Sequence, residues 1–162
     1  MPNSEHTSKQ FDADLEDIRS RVLQMGGLVE AQLNDAIEGL STGGDEVLAR
    51  VMDTEKRVNT YEKDIDDAIV HVVARRQPAA SDLRLIMGVS KIVTDLERAG
   101  DEAEKIARMA RSIYSRGALA IPRMVDVRQT SHRAVALLRR VLDTMARLDA
   151  DEADRLITED RL

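Results

Sequence analysis

The sequence predicts an all-α protein, a bundle of long antiparallel helices followed by an incomplete second copy of the same unit. Three observations predict it. Apolar residues make up 43% of the 162-residue chain but aromatics only 2%, Phe11, Tyr61 and Tyr114 alone. The core therefore has to be built from Leu, Ile, Val, Met and Ala, which suits packed helices better than a sheet. Apolar positions recur at steps of three and four along most of the chain. A gap-free shift of 105 residues superposes Val22 on Val127, Val29 on Ala134, Leu33 on Leu138, Ile37 on Leu142, Leu40 on Met145, Arg50 on Arg155, Val51 on Leu156 and Glu55 on Asp160, the mark of an internal repeat.

Residues 1–10 are polar and predict a flexible tail. From Phe11 the series Leu15, Ile18, Val22, Met25, Val29, Leu33, Ala36, Ile37 and Leu40 gives a helix of about 30 residues, roughly 45 Å long. Gly26 and Gly27 lie inside it, each costing about 1 kcal/mol relative to alanine. Such a pair marks close helix packing, the commoner reason, or a bend. Ser41-Thr42-Gly43-Gly44 is a connector of the length that joins antiparallel neighbours. A second helix runs from about Asp45 to Arg76 with Leu48, Val51, Met52, Val58, Ile65, Ile69, Val72 and Val73 as its core stripe. Arg75 and Arg76 at its end are most simply dipole-compensating residues with Arg84 a solvent-facing neighbour, the alternative being a partner-facing basic spot made by the three.

Pro78 stops that helix, Ser81 offers an N-cap, and Asp82 places negative charge at the start of a third helix. Its stripe runs from Leu85, Ile86, Val89, Ile92 and Val93 through Leu96, Ala99, Ala103, Ile106, Ala107 and Ala110 to Ile113, and Gly117 beyond Arg116 supplies a C-cap. The first bundle is thus residues 11–116 and residues 117–122 form a linker. A fourth helix from near Arg123, with Val127, Ala134, Leu138, Val141, Leu142 and Met145 on one side, opens a partial second repeat over residues 123–162. That half-unit lacks most of its second helix and all of its third, so apolar surface is left uncovered.

Several functions are excluded or disfavoured. A net charge of -6 with 33% charged residues of both signs leaves no basic face for nucleic acid. Without cysteine there are no disulfides, thiolate metal sites or cysteine nucleophiles. The polar start has no apolar signal-peptide core, and no run approaches the ~18 apolar residues of a membrane span, so a cytoplasmic location is expected. His6, His71 and His132 are far apart and belong to no His-containing metal motif. No glycine-rich phosphate loop or catalytic constellation occurs.

One feature interrupts the apolar pattern. Glu55, Asn59, Glu62 and Asp66 fall in register with the second helix's core stripe, and Glu97 and Asp101 leave one face of the third helix four residues apart. In a hairpin turning at Pro78–Ala79, Glu55 lies near the level of Asp101 and Glu102, Asn59 near Glu97 and Arg98, and Glu62 near Asp95. Oxygen-rich clusters on facing helices suit hard or borderline divalent cations and iron. The ordinary alternative is a solvated acidic face, with Arg98 able to neutralise it. Against that alternative stands the position within the stripe, since an unpaired buried charge costs several kcal/mol, on the order of 3–5.

Together, Arg76-Gln-Pro-Ala-Ala-Ser-Asp-Leu-Arg84, Asp95-Leu-Glu-Arg-Ala-Gly-Asp101 with Ala103 and Lys105-Ile-Ala107, Val51-Met-Asp-Thr-Glu55 leading to Val58, Asn59 and Glu62, and Phe11 with Leu15 to Leu23 resemble the PhoU family of phosphate-transport regulators. The likeness covers residues 11–116 directly and 122–162 through the repeat. It implies PhoU-like three-helix bundles and metal clusters held by E(D)xxxD motifs, matched here by Glu97 and Asp101 and, with an amide for the second acid, by Glu55 and Asn59; Glu62 adjoins them. The metal implied is divalent or trivalent: iron, zinc, manganese, magnesium or nickel. The resemblance also implies a negative regulator and not an enzyme, a homodimer acting between the ATPase subunit of a phosphate ABC transporter and a phosphate sensor histidine kinase, with the membrane reached only through those partners. A carboxylate-bridged metalloenzyme and a structural helical oligomerisation module are the alternatives.

Overall fold

The computed structural model describes residues 3–117 and 124–159, with side chains from Lys9 onward. Among those residues there are five helices and no strand: α1 (Asn3–Thr42), α2 (Asp45–Arg76), α3 (Ala80–Ser115), α4 (Met124–Arg147) and α5 (Ala150–Glu159). The first three pack pairwise in an up-down-up bundle, α4 lies along α1, and α5 rests on α4. α1 starts at Asn3 rather than near Phe11, so the residues expected as a tail continue the helix. Glu5, Lys9 and Gln10 are good helix formers, and extending an existing helix is far cheaper than nucleating one.

The connections follow the sequence closely. Gly43 adopts φ +69° between α1 and α2, where a Cβ would stand 2.6 Å from the Tyr114 ring. The Tyr114 hydroxyl, shared between the carbonyls of Leu40 (3.0 Å) and Ser41 (3.1 Å), satisfies acceptors that the end of α1 leaves open. α2 ends at Arg76: the Gln77 N–H still closes the last helical bond to the Val73 carbonyl, and the left-handed Gln77 (φ 47°) then turns the chain out of the helix. Ser81 is not the N-cap: α3 starts at Ala80 behind Ala79, with no side-chain cap. Gly117, at φ +83°, closes α3 by bonding to the Tyr114 carbonyl. The expected linker lies, Gly117 apart, outside the described residues.

The core divides into two clusters. One contains Ile18, Val22, Met25, Val29, Val58, Ile65, Ile69, Val72, Ile86, Val93 and Leu96; the other, small-residue cluster contains Ala36, Leu48, Val51, Ala103, Ala107 and Ala110. Leu85 and Ile92, expected in the stripe of α3, are instead exposed, on a groove bordered by Met145 and Leu148. Arg76 does more than balance the α2 dipole, since it pairs with Asp14 of α1 at 3.0 Å.

Gly26 is a packing glycine, because a Cβ there would meet Leu142 of α4 at 2.3 Å. Gly27 has open space and α1 continues through both. Arg139 of α4 also pairs with Glu30 of α1. Leu138, Leu142 and Met145 are half-buried, whereas Val127, Ala134 and Val141 are exposed. α4 and α5 therefore present an apolar groove of Val141, Met145, Leu148, Leu156 and Ile157.

Candidate functional site

Between the two core clusters lies a polar knot contributed by three helices. Gln32 of α1 is wholly buried and Glu55 of α2 is 4% exposed. The Gln32 Nε2 donates to Glu55 Oε2 at 2.7 Å, with longer contacts to the carbonyls of Gly100 (3.3 Å) and Val51 (3.4 Å). Gly100 of α3 makes this approach possible. A Cβ there would lie 3.0 Å from both Gln32 Oε1 and Glu55 Oε2 and 3.4 Å from Val58. Two oxygens in the knot, Gln32 Oε1 and Glu55 Oε1, are buried without a hydrogen-bond partner, and such atoms are rare enough in folded proteins to require a reason.

Glu55 faces a cleft of about 710 Å³ between α2 and α3, lined also by Asn59, Asp101, Glu104 and Arg108. Burial pushes the Glu55 carboxyl above its ordinary value and Asp101 and Glu104 push it further, while the amides of Gln32 and Asn59 work the other way. Glu97 is raised as well, by burial first and then by Asp101 and Glu62, with Lys105 and Arg98 opposing. Both shifts have one origin: negative charge gathered where water is scarce.

The antiparallel hairpin thus gathers Glu55, Asn59, Glu62, Glu97 and Asp101 along one interface, as the sequence predicts. Their burial differs from the expectation, since only Glu55 sits within the core and the other four are half-buried. Asp66, also expected in the stripe, is exposed. Arg98 does not cap the cluster; it lies out in solvent, 3.9 Å from Asp95. Arg108 instead pairs with Glu104 at 2.7 Å. Among the described residues, no three Asp, Glu, His or Cys side chains stand in position to hold one ion.

Sequence reasoning missed Gln32 and Glu104. Gln32 had the same signal as Glu55, a polar residue three beyond Val29 and four before Ala36 in an apolar stripe. Glu104 follows Asp101 by three, on the same helix face. His71 and His132 are exposed, and His6 lies outside the described side chains. Among the described residues, no helix is long and apolar enough to cross a membrane.

The family profile described as PhoU domain matches residues 22–110, a span that includes the whole knot and cleft. The phosphate-specific transport system accessory protein PhoU of Serratia marcescens is 45% identical over 158 residues, covering 98% of this chain and 64% of that protein. The protein of the same name from Escherichia coli K12 is 44% identical, covering 98% of this chain and 65% of its own. The crystal structure of PhoU from Pseudomonas aeruginosa superposes with a TM-score of 0.85 at 45% identity, over 93% of this chain and 72% of that one. The chain spans less than two thirds of the length of the first two relatives.

Proposed function

The chain belongs to the PhoU domain family, and from that premise we propose that it is a negative regulator of the phosphate-starvation response that modulates high-affinity phosphate uptake. It is an adaptor, not an enzyme. It works in the cytoplasm as a homodimer, between the ATPase subunit of a phosphate ABC transporter and a phosphate sensor histidine kinase. The observation that carries this reading is the likeness, across nearly the whole chain, to proteins named phosphate-specific transport system accessory proteins.

In this reading the α2–α3 cleft holds a structural metal ion. Two observations support a cation there: the orphaned, buried Glu55 Oε1 and an all-oxygen donor set suited to iron, manganese or magnesium. Glu55, Glu97 and Asp101 are the ligands, with Asn59 and Glu62 beside them. Ligation requires Glu97 and Asp101 to turn toward Glu55, since as they stand no three of the described acids are in position to hold one ion. When bound, the ion supplies positive charge that neutralises the converging carboxylates and ties α2 to α3.

Deleting the gene in its native host and following phosphate-responsive transcription in phosphate-replete medium tests the regulatory role. Derepressed transcription is expected; an unchanged response would overturn the reading.

A further inference from the structure

We propose that the exposed seam of α3 around Gly88 is where two copies of this chain join, α3 packing antiparallel against the partner's α3 across a two-fold axis at Gly88. The proposal rests on the homodimer reading above and names the surface that makes the dimer. Between α1 and α3 runs a groove whose floor is the buried side chains of Ile18, Ile69 and Ile86. Its α3 wall is open: Leu85 is 55% exposed and Ile92 38%, and both line the groove with Gly88 between them. Leu85, Gly88 and Ile92 follow one another at steps of three and four, the spacing of a helix–helix seam. Ser81, four residues before Leu85, and Asp95, three after Ile92, continue it at either end.

Gly88 points to a close approach. Glycine weakens the interior of a helix, and at other helical positions a neighbour accounts for it: a Cβ would meet Leu142 at Gly26, Leu48 at Gly39, and Gln32 and Glu55 at Gly100. At Gly88, well inside α3, a Cβ would meet nothing within 4 Å. Gly27 is open too, but lies outside both apolar grooves. The space over Gly88 is what a second helix needs to pack closely, since the side chains at a crossing set the distance between helix axes.

A two-fold axis uses the same patch on both copies and so fixes the register. With the axis at Gly88, a residue some number of places after it lies level with the residue as many places before it on the partner. Ile92 then meets the partner's Leu85, one residue from level, and Asp95 lies level with the partner's Ser81. Arg84 and Asp95 share one flank of the seam, and the partner's Arg84 stands about three residues, roughly 4.5 Å of rise, from Asp95, within reach of a guanidinium. Within its own chain Asp95 has only a highly exposed ion pair, 3.9 Å from Arg98, among the described residues, and such a pair gives way readily. One surface thus supplies both halves of every contact, apolar and charged, which assigns it to a second copy rather than to another protein's helix.

The test is sedimentation velocity of the chain over a range of concentrations, with helicity and thermal melting followed by circular dichroism. The parent is expected to dimerise. Gly88→Leu, which the open space accommodates in the monomer, should weaken the dimer about tenfold or more while leaving the monomer's melting temperature unchanged or higher. Arg84→Asp and Asp95→Arg should each weaken it and together restore it, which a merely sticky surface would not do. Because the chain has no cysteine, Gly88→Cys sets a single thiol at the axis, where mild oxidation should link the two copies. A dimer indifferent to Gly88→Leu, charge reversals that do not rescue one another, or no cross-link through Gly88→Cys overturns the seam and leaves the homodimer reading standing. A parent that is monomeric at every concentration overturns both.

Discussion

Glu55 is where packing and charge conflict most directly. Burial, then Asp101 and Glu104, raise its carboxyl above the ordinary range, so the folded protein holds a proton over an interval of pH in which the unfolded chain has released it. Without metal, this group's contribution to stability is most favourable below the unfolded value. It falls as pH rises through the interval to the folded value, and above that it stays at its lower level. Glu97 contributes with the same sign. Glu55→Gln, studied in chelator by urea unfolding from about pH 4 to about pH 8, should therefore flatten the decline and raise stability at neutral pH. A pH profile parallel to that of the parent would contradict this account. The conflict was legible at Glu55, whose spacing puts it in the stripe. It was less legible at Asn59, Glu62, Glu97 and Asp101, because spacing gives a helix face only to within a residue or so and these four fall at its rim.

At the scale of the element, the 105-residue shift also relates backbone features of the two segments. Shifted by 105, the end of α1 at Thr42 falls on the end of α4 at Arg147, and the start of α2 at Asp45 on the start of α5 at Ala150. Gly43, at φ +69°, falls on Leu148, at φ 54°. The turn has been kept while its residue has changed, and a leucine pays for the left-handed conformation that glycine adopts freely. Leu148 is 71% exposed, so little burial offsets that strain. Leu148→Gly is expected to stabilise the α4–α5 hairpin by about 0.5–1 kcal/mol, roughly the strain relieved less the greater freedom of glycine when unfolded. Thermal melting and amide exchange in α5 measure it; a destabilised hairpin would show that the Leu148 side chain contributes packing that outweighs the strain. By contrast, the start of α3 was misread at Ser81, since Pro78 and Ala79 had already set the chain on course for a helix two residues earlier than the cap signal suggested.

At the scale of the whole molecule, α4 is held to the first bundle by one seam along α1, with Gly26 against Leu142 and Glu30 paired with Arg139. A small shift of the Leu142 tip could absorb a single methyl at Gly26, but not a full side chain. Gly26→Leu should cost about 1–3 kcal/mol and loosen α4, seen as faster amide exchange in α4 and α5 with α2 and α3 unchanged. Loosening spread evenly over all helices would mean that the seam is part of the first core. The sequence by itself determined the helical class and the helix order, because these follow from periodicity, breakers and the constant rise of a helix. Only the tertiary structure decided which polar residues lie inside the core. That depends on the rotation of three helices about one another, and it is this rotation that brings Gln32 of α1 between Glu55 and Gly100, three residues no local pattern connects.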